Sequence, residues 1–109
     1  MPTWELYASG RVQGVGFRYY IWKVASELKI NGYVQNQWNG TVKIVAQAEE
    51  HTLQTFQQIV SQGTRYATVK ELQIYKLDSA EKYNDFEIRL ITLAAGNADI
   101  ANFTFGFIC

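Results

Sequence analysis

The sequence predicts an α+β fold in which two helices lie on one face of an antiparallel sheet. Two stretches carry apolar residues at helical spacing, and between them two strand-like segments flank an Asn-Gly pair. The chain has 109 residues, of which 48% are hydrophobic and 18% are charged. This length and balance indicate one globular domain with a substantial core, rather than two domains or a disordered chain.

The first predicted elements are a strand and a helix. The segment from Trp4 to about Arg11 contains aromatic side chains that favour strands. After a glycine-rich segment, apolar residues recur every three or four positions, which predicts a helix with one buried face. The residues of this face are Phe17, Ile21, Val24 and Leu28. Asn31-Gly32 is the predicted end of the helix, since both residues favour chain reversal.

A hairpin is predicted next. Asn39-Gly40 is the strongest short sequence signal for the turn that joins two antiparallel strands. Residues 32–38 precede this pair and residues 41–47 follow it, and their β-branched and aromatic content favours strands. We therefore expect these two segments to pair with each other.

A second helix and two further strands complete the pattern. The helix is predicted to begin at Glu49 and Glu50, whose charge suits a helix N-terminus, and to end at Gly63. Its core face consists of Leu53, Phe56 and Val60. Residues 69–77 and 83–89 are predicted strands. The order of the first six elements, strand, helix, strand, strand, helix and strand, defines the split βαβ arrangement, a ferredoxin-like α+β sandwich.

The last part of the chain differs in character from the rest. Residues 91–109 carry one charged side chain, Asp99, together with three phenylalanines. Glycine and asparagine residues interrupt the segment, so we do not expect it to span a membrane. We expect a domain over residues 1–90 followed by an apolar C-terminal extension over residues 91–109, to which the sequence assigns no role.

Charge and cysteine content narrow the partners and the compartment. Ten basic and ten acidic side chains cancel, so no overall field recruits a nucleic acid or an anionic membrane, and we expect neither as a partner. The single cysteine, Cys109, allows no intramolecular disulfide. The first residues lack the basic start and apolar run of a secretory signal. These features favour a cytoplasmic location.

The glycine-rich segment over residues 10–18, GRVQGVGFR, is the strongest candidate for a site. Glycines let backbone N–H groups approach a ligand closely, and a helix N-terminus favours negative charge. Arg18 adds a planar set of donors that match phosphate oxygens. The spacing fits neither the G-x-G-x-x-G of dinucleotide-binding folds nor the G-K-[ST] end of a P-loop. The alternative is a glycine-rich turn that only redirects the chain.

Two separate motifs carry a resemblance to the acylphosphatase family. Residues 10–18 are similar to the first signature of that family. Residues 32–36, GYVQN, followed by Gly40-Thr41-Val42, are similar to its second signature. The resemblance covers roughly residues 3–90 and implies the same βαββαβ fold. Two signatures in the right order are far more specific than either alone.

The resemblance implies hydrolysis of the carboxyl–phosphate bond of an acyl phosphate to a carboxylate and inorganic phosphate. It assigns phosphate binding to the side chain of Arg18 and to the backbone of a loop. The loop consists of Gln13, Gly14, Val15, Gly16, Phe17 and Arg18. It assigns to Asn36 the role of holding and orienting the attacking water. We expect a monomeric, stand-alone enzyme that acts on a small molecule and needs no metal and no cofactor.

Each of these residues also has a structural interpretation. Arg18 could be a surface arginine on a first helical turn, and Asn36 could be an ordinary strand-end residue. Arg11 is expected to support the loop rather than to bind phosphate. His51 is expected to be a solvated residue at a helix start. The aromatic residues Tyr19, Tyr20, Trp22 and Trp38 are expected to pack or to be partly exposed rather than to stack on bases.

Two rival functions and several departures from the family pattern accompany this prediction. RNA-recognition domains share the element order, but residues 41–47 lack the aromatic side chains that stack on RNA bases. A regulatory or carbamoyl-phosphate-handling module, like the N-terminal domain of hydrogenase maturation proteins, is the other rival.

Among the departures, Lys29 stands where the family often has a helix-ending glycine. A lysine in a left-handed conformation there would cost about 1 kcal/mol.

Overall fold

The computed structural model describes residues 1–78 and 81–91, which form two helices and five strands. The elements are β1 (Thr3–Arg11), α1 (Phe17–Glu27), β2 (Asn31–Asn36), β3 (Val42–Gln47), α2 (Glu50–Gln62), β4 (Thr68–Leu77) and β5 (Phe86–Arg89). Every predicted element is present in the predicted order, so the α+β, ferredoxin-like prediction is confirmed. In the described part of the chain, neither helix is both long and apolar enough to cross a membrane.

The five strands form one mixed sheet in the order β4-β1-β3-β2-β5. Three pairings are antiparallel, as predicted, whereas β5 runs parallel to β2. The direction of β5 follows from where the preceding segment lies. The side chain of Gln47, at the end of β3, donates to the carbonyl of Glu81 (3.0 Å) and accepts from the N–H of Tyr83 (3.1 Å). The chain therefore enters β5 from the same sheet end at which β2 begins.

The helices cover one face of the sheet, and the core lies between the two layers. Alternate residues of the central strands point toward the helices and are buried, as period-two side-chain alternation requires. These residues are Trp4, Leu6 and Ala8 of β1 and Val42, Ile44 and Ala46 of β3. The helices contribute Phe17 and Ile21 from α1 and Phe56 from α2, all almost fully buried. Burial of each large apolar side chain contributes about 1.5–3 kcal/mol.

Helix α1 ends earlier than predicted. Asn31-Gly32, the predicted stop, already belongs to β2, and the chain reverses at Leu28 and Lys29. The N–H of Ile30 donates to the carbonyl of Ala25 (2.9 Å) and that of Lys29 to Ser26 (3.2 Å), which is the Schellman pattern. Lys29 has a φ of 60°, so this lysine adopts the left-handed conformation at the position where the family often has a helix-ending glycine.

The β2–β3 hairpin has a longer connection than the predicted two-residue turn. Both strands stop short of Asn39-Gly40, and residues 37–41 close the turn through two backbone bonds. The N–H of Gln37 donates to Thr41 (2.9 Å) and that of Gly40 donates to Gln37 (3.2 Å). The side chain of Asn39 accepts from both the N–H and the hydroxyl of Thr41, which explains why asparagine suits this position.

The predicted C-terminal extension, residues 91–109, lies outside the described residues except for Ile91. Ile91 itself is buried. The division into a domain over residues 1–90 and an extension therefore stays a prediction.

Candidate active site

The loop between β1 and α1 presents unused backbone donors. Gly16 is the N-cap of α1 in a left-handed conformation (φ 78°), and Gly14 also has a positive φ of 74°. These conformations are costly for residues with a Cβ, which explains the two glycines. Within residues 1–78 and 81–91, the N–H groups of Gly14, Val15 and Gly16 donate to no other group. The loop therefore offers at least three donors to a ligand.

The start of α1 is electrostatically suited to an anion. No side chain of the described residues caps this helix end, and its first turn contains no acidic residue. The positive end of the helix dipole is therefore not offset locally. Among residues 1–78 and 81–91, a Cβ built on Gly16 would meet no atom beyond its chain neighbours within 4 Å, so the space on that side of Gly16 is open. Backbone N–H groups at such a helix N-terminus suit an anion with oxygen acceptors.

Arg18 lies on the first turn of α1 with its side chain directed into the protein. The residue is only 3% exposed. Its Nη1 donates to the backbone carbonyl of Arg89 at 3.4 Å. Arg89 is paired with Gln35 of β2, the residue that precedes Asn36. The guanidinium of Arg18 is thus held at the end of the sheet where β2 and β5 terminate.

Asn36 is the last residue of β2 and is 1% exposed. Neither Nδ2 nor Oδ1 of its side chain has a hydrogen-bond partner in the part of the chain that the structure describes. A buried polar group left without a partner costs about 1–3 kcal/mol, so both atoms are expected to be satisfied by a water or a ligand. One amide offers both a donor and an acceptor, which suits the orientation of a water molecule.

The side chain of Gln13 connects the glycine-rich loop to the strand end that bears Asn36. Its Nε2 donates to the carbonyl of Gln37 and to the carbonyl of Thr41, both at 2.8 Å. Gln37 directly follows Asn36 in the chain. The loop donors, Arg18 and Asn36 are therefore gathered around one end of the sheet, as the sequence motifs predict.

Three of the other singled-out residues, His51, Tyr19 and Trp22, lie as the structural interpretation predicts. Arg11 is exposed at the end of β1, and His51 is exposed beside Glu49 on the first turn of α2. Tyr19 stacks on Trp22, whose Nε1 donates to the carbonyl of Phe86 (3.1 Å). The stack lies within α1, and the bond of Trp22 joins α1 to β5.

Two side-chain roles at this site carry no signal in the sequence. The sequence motif assigned the loop a backbone function, and nothing in it indicates that the Gln13 amide reaches the hairpin. The side chain of Gln35 likewise donates to the carbonyl of Leu90 (2.6 Å) and holds the chain just after β5. Side-chain bonds to distant backbone carbonyls depend on the fold and leave no local spacing pattern.

Fold and loop together define a small α+β protein with a glycine-rich loop at the N-terminus of its first helix. The Acylphosphatase family model matches residues 4–88. An acylphosphatase from Archaeoglobus fulgidus is 48% identical over 88 residues, which are 81% of this chain and 98% of that protein. The crystal structure of acylphosphatase from Bacillus subtilis has a TM-score of 0.78 at 35% identity, covering 81% of this chain and 98% of that chain. The chain belongs to the acylphosphatase family.

A more distant likeness is to a much longer chain. The crystal structure of full-length HypF in the phosphate- and nucleotide-bound form has a TM-score of 0.74 at 23% identity. It covers 84% of this chain but 12% of that chain. This likeness shows a shared fold only.

Proposed function

We propose that this acylphosphatase hydrolyses small acyl phosphates by binding the phosphoryl group in the loop over residues 13–18 and placing a water with Asn36. Hydrolysis of acyl phosphates is the activity of the family. The observation that carries the assignment of the site is the buried, unpartnered amide of Asn36, which lies at the same sheet end as the loop donors and Arg18.

The loop and Arg18 supply the stabilisation of charge. Backbone N–H groups of Gly14, Val15 and Gly16 donate to the phosphoryl oxygens, and the guanidinium of Arg18 donates from the helix side. These donors are fixed before substrate binds, so they follow negative charge as it spreads over the equatorial oxygens in the transition state without reorganising. The positive end of α1 acts in the same direction.

Asn36 supplies the position of the nucleophile. Its Oδ1 accepts a hydrogen bond from the water, and its Nδ2 is available to a phosphoryl oxygen or to a second water. Holding water and phosphorus in one arrangement lowers the entropic part of the barrier. The buried position of the amide limits the number of orientations that the bound water can take.

Neither a strong base nor a general acid is needed in this mechanism. The P–O bond to the acyl oxygen breaks and the electron pair leaves with the carboxylate, whose conjugate acid has a pKa of about 4. In a loose transition state the attacking water forms little bond to phosphorus, so it needs orientation more than deprotonation. The water oxygen and its protons pass to inorganic phosphate and solvent.

Hydrolysis of benzoyl phosphate in the presence of EDTA tests this mechanism. Arg18→Ala and Asn36→Ala are each expected to lower kcat by at least about 100-fold, the effect of losing one preorganised contact to the transition state. Matched controls are Arg65→Ala and Asn84→Ala, which alter exposed residues outside the site and should retain wild-type rates. Full activity in either site variant, or none in a folded wild type, would refute the assignment.

The remaining properties are also proposals. We propose that residues 1–90 suffice for catalysis, that the enzyme acts as a monomer and that it works in the cytoplasm. The family match over residues 4–88 supports the first of these. Light scattering of the purified protein tests the second, since a dimer would have twice the mass of the 109-residue chain.

A further inference from the structure

We infer that the side chain of Gln13 is a positioning residue, which holds the phosphate-binding loop at a set distance from Asn36. Its role rests on the proposed function, since it acts on the spacing between two parts of that site. Gln13 does not need to touch substrate through its side chain. It acts through the loop backbone on one side and through the β2–β3 hairpin on the other.

The hydrogen bonds of Gln13 join two segments that lie far apart in the sequence. The Gln13 amide donates to Gln37, 24 residues away, and to Thr41, 28 residues away. Both bonds are 2.8 Å long, so one NH₂ group is shared between two carbonyls at good distance. Two bonds from one rigid amide restrict translation and rotation of the loop more than a single bond does.

The hairpin does not require these bonds for its own closure. The Gln37 carbonyl already accepts from the N–H of Gly40, and the Thr41 carbonyl already accepts from the N–H of Gln37. If the Gln13 amide is removed, both carbonyls keep a backbone donor, so no buried acceptor is left without a partner. The principal loss is therefore the link between hairpin and loop.

Removal of the Gln13 amide is expected to disturb the alignment of the reacting groups and to leave anion binding unchanged. The loop N–H groups and Arg18 bind the phosphoryl group whether or not the loop is linked to the hairpin. The alignment of phosphorus with the water on Asn36 depends on the link. A displacement of about 1 Å between reacting groups can lower a rate by about 100-fold.

A double-mutant cycle tests this role with three variants: Gln13→Met, Asn36→Ala and the double variant. Gln13→Met keeps the length of the side chain and removes both donors. We expect it to lower kcat for benzoyl phosphate by about 10- to 100-fold. We expect the inhibition constant of inorganic phosphate to stay within about twofold of wild type, because independent sites usually add to within that factor. In the Asn36→Ala background, Gln13→Met should change kcat by no more than about twofold.

Two further variants complete the design. Gln13→Asn keeps the amide but shortens its reach, so it should lower kcat in the same way. It provides the test if Gln13→Met does not fold. Gln54→Met, an exposed glutamine on α2, controls for the change of residue type and should retain wild-type kcat. Circular dichroism and thermal unfolding of each variant establish that it is folded.

The outcomes separate this role from the proposed function. Loss of kcat in a folded Gln13 variant, absent when Asn36 is already alanine, supports the positioning role. Unchanged kcat, additive losses in the cycle, or a rise in the phosphate inhibition constant parallel to the loss of activity would each overturn it. An inactive wild type, or an Asn36→Ala variant with full activity, would instead contradict the proposed function itself.

Discussion

Replacing Lys29 by glycine is expected to stabilise the protein. Lys29 adopts a φ of 60° at the end of α1, a conformation that costs a residue with a Cβ about 1–2 kcal/mol. The greater flexibility of glycine in the unfolded chain offsets about 0.4–1 kcal/mol of this gain. The net stabilisation is about 0.5–1 kcal/mol, which raises Tm by about 3–6 °C for a domain of this size.

The geometry around Lys29 makes this a clean perturbation. Its side chain is exposed and forms no ion pair within residues 1–78 and 81–91. The bonds that close the helix end, from Lys29 to Ser26 and from Ile30 to Ala25, are backbone bonds and survive the substitution. Only the conformational cost of the lysine should change.

Urea unfolding of the wild type and two variants measures the effect. Ser26→Gly, at an exposed position inside the same helix, is the control and should lose about 0.5 kcal/mol, because glycine disfavours helical backbone. Lys29→Gly should shift the midpoint upward with an unchanged m-value. A midpoint equal to or below that of the wild type would refute the argument that the lysine is strained.

Three other perturbations act on the sheet and its hairpin. Gly32→Ala would drive a Cβ into the carbonyl oxygen of Val45 and should cost about 3 kcal/mol or more in urea unfolding; a loss below 1 kcal/mol would contradict this close approach. A Cβ added at Gly40 meets no atom of the described residues beyond its chain neighbours within 4 Å, so Gly40→Ala should cost only its backbone strain of about 1–2 kcal/mol. Burial and the hydrogen bond to Glu5 raise the pKa of Tyr7. Tyr7 therefore contributes stability that is present below about pH 10 and is lost as the pH rises through its folded pKa. Tyr7→Phe should make the fall in unfolding free energy above pH 10 shallower, and an unchanged slope between pH 8 and 11 would count against this role.

Local patterns predicted most of the fold because they record which face of each element is buried. The apolar spacing from Phe17 to Leu28 follows from the two-layer packing, and the aromatic and β-branched content of β1 and β3 suits a sheet. The parallel pairing of β5 with β2 was not predictable in this way. The chain returns to the sheet end where β2 begins, and the bonds of Gln47 to the segment before β5 there connect residues more than thirty positions apart.

The site was predictable where it depends on local backbone geometry. Gly14 and Gly16 mark the loop because their conformations exclude most other residues. The position of Lys29 at the helix end came from the family resemblance, whereas the local pattern put the end of α1 at Asn31-Gly32. The links from Gln13 to the hairpin and from Arg18 to Arg89 were not foreseen, since each joins a side chain to a distant carbonyl.

A local turn restrains the chain just after α2. Thr64 follows the helix-ending Gly63. Its hydroxyl oxygen accepts from the N–H groups of Tyr66 (3.0 Å) and Ala67 (2.9 Å). A local hydrogen-bonded turn thus restrains the chain at a position where proline would restrain it through its ring.

The contact between Arg18 and the carbonyl of Arg89 has a consequence for folding kinetics. It connects residues 71 positions apart, and the strand that provides the carbonyl is the last one of the sheet. Bringing together residues of large sequence separation costs more chain entropy than forming local contacts. Chains rich in such contacts fold more slowly. Because the proposed mechanism uses Arg18, recovery of hydrolysis during refolding should report the docking of β5 against α1.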